Sequence, residues 1–292
     1  MLGQSNAGKT SYVSAMYATM TNGVSGFTVR AERSADHQRL CRNAERMRGG
    51  VYPPATDQRS VYNLQLWHAG DRVFDFMWRD YRGGALVESS ESPQAMQLRT
   101  DIANAGGLVV MIDSTELTGG PRARSRVRPL IATTIRLLST RENIMPLVIA
   151  LTKWDLVRAS EEQTQQAASD LLGDLVSAVG DTKHIYGTLI PIACGAQPMN
   201  IILPVLWCLH IGIAASGTLL QRRLEFHQQL VDAAAARRGF WDRTRAAWAG
   251  RPNADQIHAY GQQQIRDDLL RIQPLIVPSQ KLNSLFEPVF KF

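Results

Sequence analysis

The chain has 292 residues, which is enough for one domain with a sizeable core and an extension. Hydrophobic residues make up 45% of the sequence and charged residues 20%, a balance that excludes an intrinsically disordered chain. The net charge of +6 is compatible with an acidic partner, but many arginines fall on predicted helices, where a solvated face explains them equally well. We therefore predict no nucleic-acid binding.

The three cysteines bear on the cellular compartment in which the chain works. Cys41, Cys194 and Cys208 lie far apart and form no C-x-x-C pair, so we expect neither a zinc site nor a disulfide framework. Because a reducing environment suits such cysteines, we expect a cytoplasmic location.

Strands and helices alternate along the first part of the chain, a pattern typical of a mostly parallel sheet covered on both faces. We predict a helix after the glycine-rich start that ends at Asn22-Gly23, and a polar helix over 33–48. We predict two strands joined by a turn at 68–71, followed by three short apolar strands buried in a parallel sheet. The predicted strands are 60–68, 72–79, 107–113, 146–151 and 185–192.

The apolar segment 201–220 has two interpretations. Its length permits a membrane span, and His210 is its only ionisable side chain. Alternatively, it is the last helix of the α/β domain and packs on the sheet. We favour the second interpretation because Pro204, Gly212 and Gly217 interrupt a simple span and the final strand needs a covering helix.

The remaining chain is predicted to form a helical hairpin and a tail. Apolar residues at helical spacing predict a first helix that ends at 250–252, and we call these residues the first stripe. Asn253 with Gln256 then resembles a capping box at the start of a second helix. A second stripe ends at Pro274. The first stripe comprises Leu220, Leu224, Val231, Ala234, Trp241 and Trp248, the second comprises Ile257, Gly261, Ile265, Leu269 and Ile272, and the tail carries Phe286, Phe290 and Phe292. The predicted domains are thus 1–213 and 214–292.

The most specific motif opens the chain. Residues 3–10 read Gly-Gln-Ser-Asn-Ala-Gly-Lys-Thr and fit G-x-x-x-x-G-K-[ST] completely. In this motif the backbone N–H groups and the helix N-terminus face phosphate oxygens, Lys9 reaches the β- and γ-phosphates, and the Thr10 hydroxyl binds Mg²⁺. The predicted phosphate-binding residues are Gly3, Ser5, Asn6, Ala7, Gly8, Lys9, Thr10 and Ser11.

A second motif follows the strand at 72–79. Asp80-Tyr81-Arg82-Gly83 fits D-x-x-G. A carboxylate at that strand end can hold Mg²⁺, usually through water, and the Gly83 backbone can donate to the γ-phosphate. The pattern is weak alone and gains weight downstream of the phosphate-binding loop.

A third motif follows the strand at 146–151. Thr152-Lys153-Trp154-Asp155 fits [NT]-K-x-D. A carboxylate can accept hydrogen bonds from N1–H and the exocyclic amine of guanine, a donor pair that adenine lacks. The alternative is an ordinary turn with Asp155 as an N-cap.

These three motifs, in this order, resemble the GTPase superclass of P-loop proteins (TRAFAC-like) over residues 1–213. Within it, Tyr52-Pro53-Pro54-Ala55-Thr56 and residues 80–84 resemble the bacterial double-GTPase families linked to conflict systems. The resemblance implies that Thr56 is the switch threonine that binds Mg²⁺ and the γ-phosphate. It also implies that Ala193, Cys194 and Gly195 contact the guanine carbonyl, although they match the family's Ser-Ala pattern poorly.

The chain departs from the family pattern in two places. Gly84 stands where many members carry the glutamine that orients the attacking water, so unaided hydrolysis should be slow. Only Met1-Leu2 precede the phosphate-binding loop, where a central strand is expected. We predict that five or more apolar residues lie upstream, or that another segment fills the strand position.

We therefore predict an α/β P-loop domain that hydrolyses GTP to GDP with Mg²⁺ and acts as a molecular switch, with Lys9, Thr56 and Gly83 in the catalytic roles. A protein effector or activator would contact the switch loops and the C-terminal helices. The alternative is a nucleotide-binding interaction module with negligible turnover. An ATP-dependent kinase is disfavoured by Asp155.

Overall fold

The structure is a computed structural model that describes residues 1–54, 59–81, 92–139, 141–237 and 252–285. Strands and helices alternate along most of it, as predicted. In chain order the strands are Leu2–Gly3 (β1), Phe27–Ala31 (β2), Ser60–His68 (β3), Asp71–Asp80 (β4), Leu108–Asp113 (β5), Met145–Thr152 (β6) and Ile185–Pro191 (β7). The helices are Lys9–Thr21 (α1), Ser34–Arg48 (α2), Pro93–Ala103 (α3), Ser114–Thr118 (α4), Pro121–Leu138 (α5), Glu161–Gly180 (α6), Leu203–Arg237 (α7) and Ala254–Ser284 (α8).

A parallel sheet carries the core of the larger unit. Its strands are ordered β1-β5-β6-β7, and every residue of β6 is buried. On one face, apolar residues of these strands pack with those of α3, α5 and α6 in a single cluster. Because all four strands run in the same direction, their carboxyl ends meet at one edge, where Asp113 and Thr152 lie opposite each other.

An antiparallel sheet of β2, β3 and β4 adjoins the parallel sheet. The β3–β4 hairpin turns at Ala69-Gly70, whose φ angles of 51° and 96° lie in the left-handed region. The backbone nitrogen of Met1 donates to the carbonyl oxygen of Arg79 in β4 at 2.8 Å, so the two sheets meet at β1 and β4. This meeting places Asp80, the last residue of β4, beside the loop that follows β1.

The predicted strands and helices before residue 213 are confirmed, and the structure adds strand β2 and helix α3. Strand β2 was not predicted, because five residues carry too little alternation and the pairing that stabilises them is with β3, far along the chain. Arg122, Arg124, Arg126 and Arg128 lie in the first turns of α5. Two of these arginines are engaged locally: Arg124 Nε donates to the Leu117 carbonyl at 2.8 Å, and Arg126 pairs with Glu116 at 2.6 Å.

Helix α7 begins on the sheet, as we favoured for the segment 201–220. Val205 and Leu206 are fully buried, and Trp207 Nε1 donates to the Tyr186 carbonyl oxygen in β7 at 3.2 Å. Residues 203–236 of this helix are also long and apolar enough to cross a membrane. Within the protein, 39% of their most apolar 18-residue stretch is buried. The packing of the first turns against β7 agrees with the interpretation of a covering helix.

The described residues form two compact units, one of Met1–Gly212 with Ser284 and Leu285, and a smaller one of Ile213–Asn283. In the smaller unit, buried residues of α8 recur every seven positions, as in helices that pack along one another. On α7 the buried residues of this unit are Ile213, His227, Val231 and Ala234. The capping box of Asn253 and Gln256 is confirmed by reciprocal hydrogen bonds of 2.9 and 3.0 Å. The buried residues of α8 at this spacing are Ala254, Gly261, Asp268, Leu275 and Leu282.

Two predictions for this unit were wrong. Helix α8 continues through Pro274 and Pro278 to Ser284. A proline within a helix removes one hydrogen bond, and the burial of Leu275 and Leu282 beyond it offsets that loss. The second error concerns Leu269, which was predicted to belong to the apolar stripe but is 51% exposed. The neighbouring Asp268 is fully buried instead and lies 3.2 Å from Arg223 of α7. Trp241, Trp248 and the three phenylalanines of the tail lie outside the described residues.

Gly261 lets the two helices of this unit approach closely. A Cβ at this position would lie 2.6 Å from Cγ2 of Val231 and 3.5 Å from the His227 carbonyl oxygen. We expect Gly261→Val to lower the free energy of unfolding by about 1–3 kcal/mol, since overpacking displaces a stiff β-branched neighbour. Chemical denaturation of the full chain measures this.

Gly217→Ala in α7 is the matched control. No atom lies within 4 Å of its added Cβ, so the change should leave stability equal or raise it by roughly 0.5–1 kcal/mol through helix propensity. An unfolding free energy for Gly261→Val equal to that of the wild type would contradict close packing at this position.

Candidate nucleotide-binding site

The loop between β1 and α1 has the geometry of a phosphate-binding loop. Gly8 directly precedes α1 with φ 79° and ψ 16°, a left-handed conformation that residues with a Cβ adopt at a cost. Gly3 approaches β5 so closely that a Cβ there would lie 2.7 Å from the Met111 carbonyl oxygen. The first N–H groups of α1 therefore face the cavity that the loop surrounds, an arrangement that favours anions.

Lys9 lies within this loop and is nearly buried. Its Nζ donates to the carbonyl oxygens of Gly3 at 2.9 Å and Gln4 at 2.7 Å. Burial lowers the pKa of Lys9 from its usual value, and the negative charge of Asp80 partly opposes this shift. An anion brought into the loop would offset the desolvation of this ammonium group.

Asp80 and Thr10 provide oxygen atoms beside Lys9. The Thr10 hydroxyl donates to Asp80 Oδ2 at 3.1 Å, whereas Asp80 Oδ1 is buried and accepts no hydrogen bond from any described residue. Burial raises the pKa of Asp80, while the charge of Lys9 and the hydrogen bond from Thr10 oppose the rise. A buried carboxylate oxygen without a donor, next to a hydroxyl, fits a hard divalent cation such as Mg²⁺, which takes its other ligands from phosphate and water.

Thr152, Lys153 and Asp155 lie at the carboxyl end of β6. The Thr152 hydroxyl donates to the Ile112 carbonyl oxygen at 3.2 Å, which fixes the start of the turn. Lys153 has φ 55° and its Nζ lies 2.6 Å from Asp113 Oδ2 at the end of β5. Asp155 is exposed and faces the loop after β7.

The loop after β7 approaches Asp155 at a glycine. A Cβ on Gly195 would lie 2.7 Å from Asp155 Oδ2 and 3.4 Å from the Tyr52 hydroxyl oxygen. Cys194 lies beside it, and burial followed by the charge of Asp155 raises the pKa of its thiol to about 12. The Ala193 N–H donates to the Met199 carbonyl oxygen at 3.1 Å, so this N–H is engaged within the loop.

One cavity of about 460 Å³ connects these parts. Such a volume is typical of sites for small molecules and cofactors. The phosphate-binding loop borders it at one side, and Asp155 with Gly195 borders it at the other. Its lining comprises Ser5, Asn6, Gly8, Lys9, Thr10, Ser11, Tyr52, Pro53, Pro54, Thr152, Lys153, Asp155, Leu156, Cys194 and Gly195.

The structure thus brings most of the predicted site residues together. Gly3, Ala7 and Ala193 do not line the cavity: Gly3 packs on β5, and Ala7 and Ala193 are buried. Asp80 lies behind Thr10 rather than on the cavity wall. Thr56, Gly83 and Gly84 lie outside the described residues, so their roles stay predictions.

Sequence reasoning missed several residues of the site. Tyr52, Pro53 and Pro54 line the cavity, although the motifs singled out only Thr56 in that loop. Asp113 holds Lys153 and also accepts from the Thr115 N–H at 3.0 Å. A carboxylate at the end of a buried parallel strand was the available signal for Asp113, since strand ends meet at this edge.

We expect Gly195→Ala to weaken guanine-nucleotide binding by about tenfold or more. Its methyl group would displace the Asp155 carboxylate, and the loss of hydrogen bonds from the base to this charged group costs roughly 1.5–3 kcal/mol. Competition against a fluorescent GDP analogue measures the change.

Gly173→Ala in α6 is the control for that substitution, because its Cβ would meet no atom within 4 Å. It should bind guanine nucleotide like the wild type. An unchanged affinity for Gly195→Ala would show that Asp155 and Gly195 do not shape the base-binding end of the cavity.

Comparisons with known proteins identify the family. The model of the family Double-GTPase 2 matches residues 1–184, more than half of the chain. No curated protein matches the chain. The match covers the phosphate-binding loop, every strand of the two sheets except β7, and the turn that carries Asp155. The chain therefore belongs to the Double-GTPase 2 family of P-loop GTPases.

Proposed function

We propose that the chain binds GTP together with Mg²⁺ and hydrolyses it to GDP and phosphate, acting as a molecular switch in the cytoplasm. The observation that carries the proposal is the single cavity bordered by Lys9 and Thr10 at one side and by Asp155 at the other. This separation of a cationic anion-binding end from an acidic end suits a ligand with a polyphosphate and a purine that offers two N–H donors.

Each end of the cavity has a distinct role in this proposal. The Gly8 region and Lys9 hold and orient the phosphates, and Lys9 balances charge that develops on the transferred group. Thr10 and Asp80 would hold Mg²⁺, which when bound neutralises phosphate charge. Asp155 selects guanine, while Asp113 holds the Lys153 side chain through an ion pair of 2.6 Å.

The output of such a site is a change of conformation. Under the switch proposal, the γ-phosphate is sensed by Thr56 and by the segment that follows Asp80. Loss of that phosphate would release both segments and alter a surface that a protein effector or activator reads. A helical unit attached to the nucleotide-binding unit is a suitable reader of that state.

The experiment that tests the proposal measures binding and turnover separately. Binding is measured by competition of GTP, GDP, ATP and XTP against a fluorescent GDP analogue with Mg²⁺. Turnover is measured as phosphate release from pre-bound GTP in a single turnover. We expect GTP and GDP to bind at least about a hundredfold more tightly than ATP. Equal affinities for ATP and GTP would overturn the proposal.

The rate of phosphate release separates the switch from its alternative, a binding module with negligible turnover. Gly84 offers no side chain to orient water, so slow release by the isolated chain is expected. Acceleration of release by a cell extract, beyond the release that the same extract gives from GTP without the chain, would support a partner-stimulated GTPase. Release no faster than free GTP under both conditions would favour the binding module.

A further inference from the structure

One acidic side chain outside the cavity joins the two chain segments that border the nucleotide-sensing loops. Asp101 lies on α3 and is 7% exposed, so its carboxylate is nearly removed from water. Buried carboxylates are costly unless donors surround them. Here the donors come from α3, from β4 with the residue after it, and from the residue before β3, so Asp101 connects three parts of the fold.

Four donors surround the two oxygens of Asp101. The Tyr81 hydroxyl donates to Oδ2, and Arg59 Nη2 lies 2.7 Å from the same oxygen. Gln97 Nε2 donates to Oδ1 at 2.9 Å, and Arg79 Nη1 lies 3.4 Å from it. Each oxygen therefore has two donors, and the carboxylate lies between two guanidinium groups, one from β4 and one from the residue before β3.

The partners of Asp101 are close in sequence to the predicted switch residues. Tyr81 follows Asp80 directly, and Asp80 accepts from Thr10 of the phosphate-binding loop. Arg59 lies three positions after Thr56. In addition, the Arg59 guanidinium lies over the Tyr81 ring, 5.5 Å from its centroid.

We propose that Asp101 is a positioning residue that couples Arg59, which precedes β3, to Tyr81, which follows β4, so that these two residues respond together to the γ-phosphate of a bound nucleotide. This inference rests on the proposed GTPase function. Without the Asp101 carboxylate, Arg59 and Tyr81 lose their common partner, so the position of one no longer favours the position of the other. Under the proposed function the triphosphate is the form sensed on both sides of Asp101, so its binding would weaken, whereas binding of the diphosphate would not.

The test is Asp101→Asn in the full chain. The amide keeps the size of the carboxylate and can still accept from Tyr81, but it no longer carries the charge that holds Arg59 and Arg79. We expect affinity for the non-hydrolysable analogue GppNHp to fall at least about fivefold while affinity for GDP stays within twofold of the wild type. Single-turnover phosphate release should slow by a similar factor.

Two further variants separate coupling from simple stabilisation. Asp101→Glu restores the charge and should recover part of the GppNHp affinity. Arg59→Gln removes one of the two cations that pair with Asp101. Because the Arg59 side chain is 33% exposed, this variant should fold even if Asp101→Asn does not, and it should show the same selective loss of GppNHp affinity. In the double variant Asp101→Asn/Arg59→Gln, the loss should be smaller than the product of the two single losses.

Asp170→Asn on α6 is the matched control. The Asp170 carboxylate lies 3.9 Å from Arg124, and its side chain is 51% exposed. The substitution thus removes a paired carboxylate that contacts neither Arg59 nor Tyr81. It should change neither affinity. An equal loss of GDP and GppNHp affinity in Asp101→Asn, or no loss in a folded variant, would overturn the inference. Failure of the wild type to prefer GTP over ATP would instead refute the proposed function.

Discussion

Replacing Lys9 with alanine is expected to remove almost all binding of Mg²⁺-nucleotide. The Lys9 ammonium is the buried cation of the phosphate-binding loop, and it donates to two backbone carbonyl oxygens of that loop. Truncating one partner of a desolvated charge pair costs about 2–5 kcal/mol, which corresponds to a loss of affinity on the order of 30- to several thousand-fold.

Lys9→Ala should not unfold the chain. The substitution removes an ammonium whose pKa burial lowers, so the folded state also loses a desolvation cost. Circular dichroism and thermal unfolding check the fold, and titration calorimetry with GDP and Mg²⁺ measures affinity. Lys183→Ala, at an exposed position before β7, is the charge-matched control and should bind normally. Wild-type affinity in Lys9→Ala would exclude this loop as the phosphate site.

The second large effect is expected from Asp155→Asn, which should change the preferred base from guanine to xanthine. The carboxylate accepts from two N–H groups of guanine, and hydrogen bonds to a charged group contribute about 1.5–3 kcal/mol. Asparagine replaces one acceptor by an N–H₂ donor, which meets the extra carbonyl oxygen of xanthine. We expect GTP affinity to fall roughly tenfold to a hundredfold and XTP affinity to rise.

The shift is measured by competition of GTP and XTP against the same fluorescent nucleotide for both proteins. Asp181→Asn, at an exposed position after α6, is the matched control and should keep the preference for GTP. A variant at position 155 that still prefers GTP over XTP would show that another group reads the base. It would not contradict the phosphate site, which Lys9→Ala tests independently.

Much of the fold was predictable from local pattern. The run of apolar residues over β6 predicted a strand buried on both faces, and the glycines around Gly8 predicted a loop that a helix follows. Both patterns arise from interactions within a few residues, namely backbone geometry and the period of apolar side chains. The capping box at Asn253 was predictable for the same reason.

The errors occurred where distant parts of the chain decide the outcome. Strand β2 depends on pairing with β3, and α8 passes Pro274 because residues beyond it are buried. Asp268 replaced Leu269 as a buried residue because Arg223, on another helix, lies 3.2 Å from its carboxylate. A local pattern gives no information about a partner so far away in sequence.

The same distinction applies to the site. The sequence by itself determined the three motifs and therefore the chemistry available: a cradle for phosphate, a carboxylate and hydroxyl suited to Mg²⁺, and a carboxylate suited to guanine. Only the tertiary structure decided that Cys194 and Gly195, and not Ala193, border the cavity, that Asp113 holds Lys153, and that Asp101 joins Arg59 to Tyr81. These contacts link residues that are 20 or more positions apart, and their distances follow from how the sheets and helices pack.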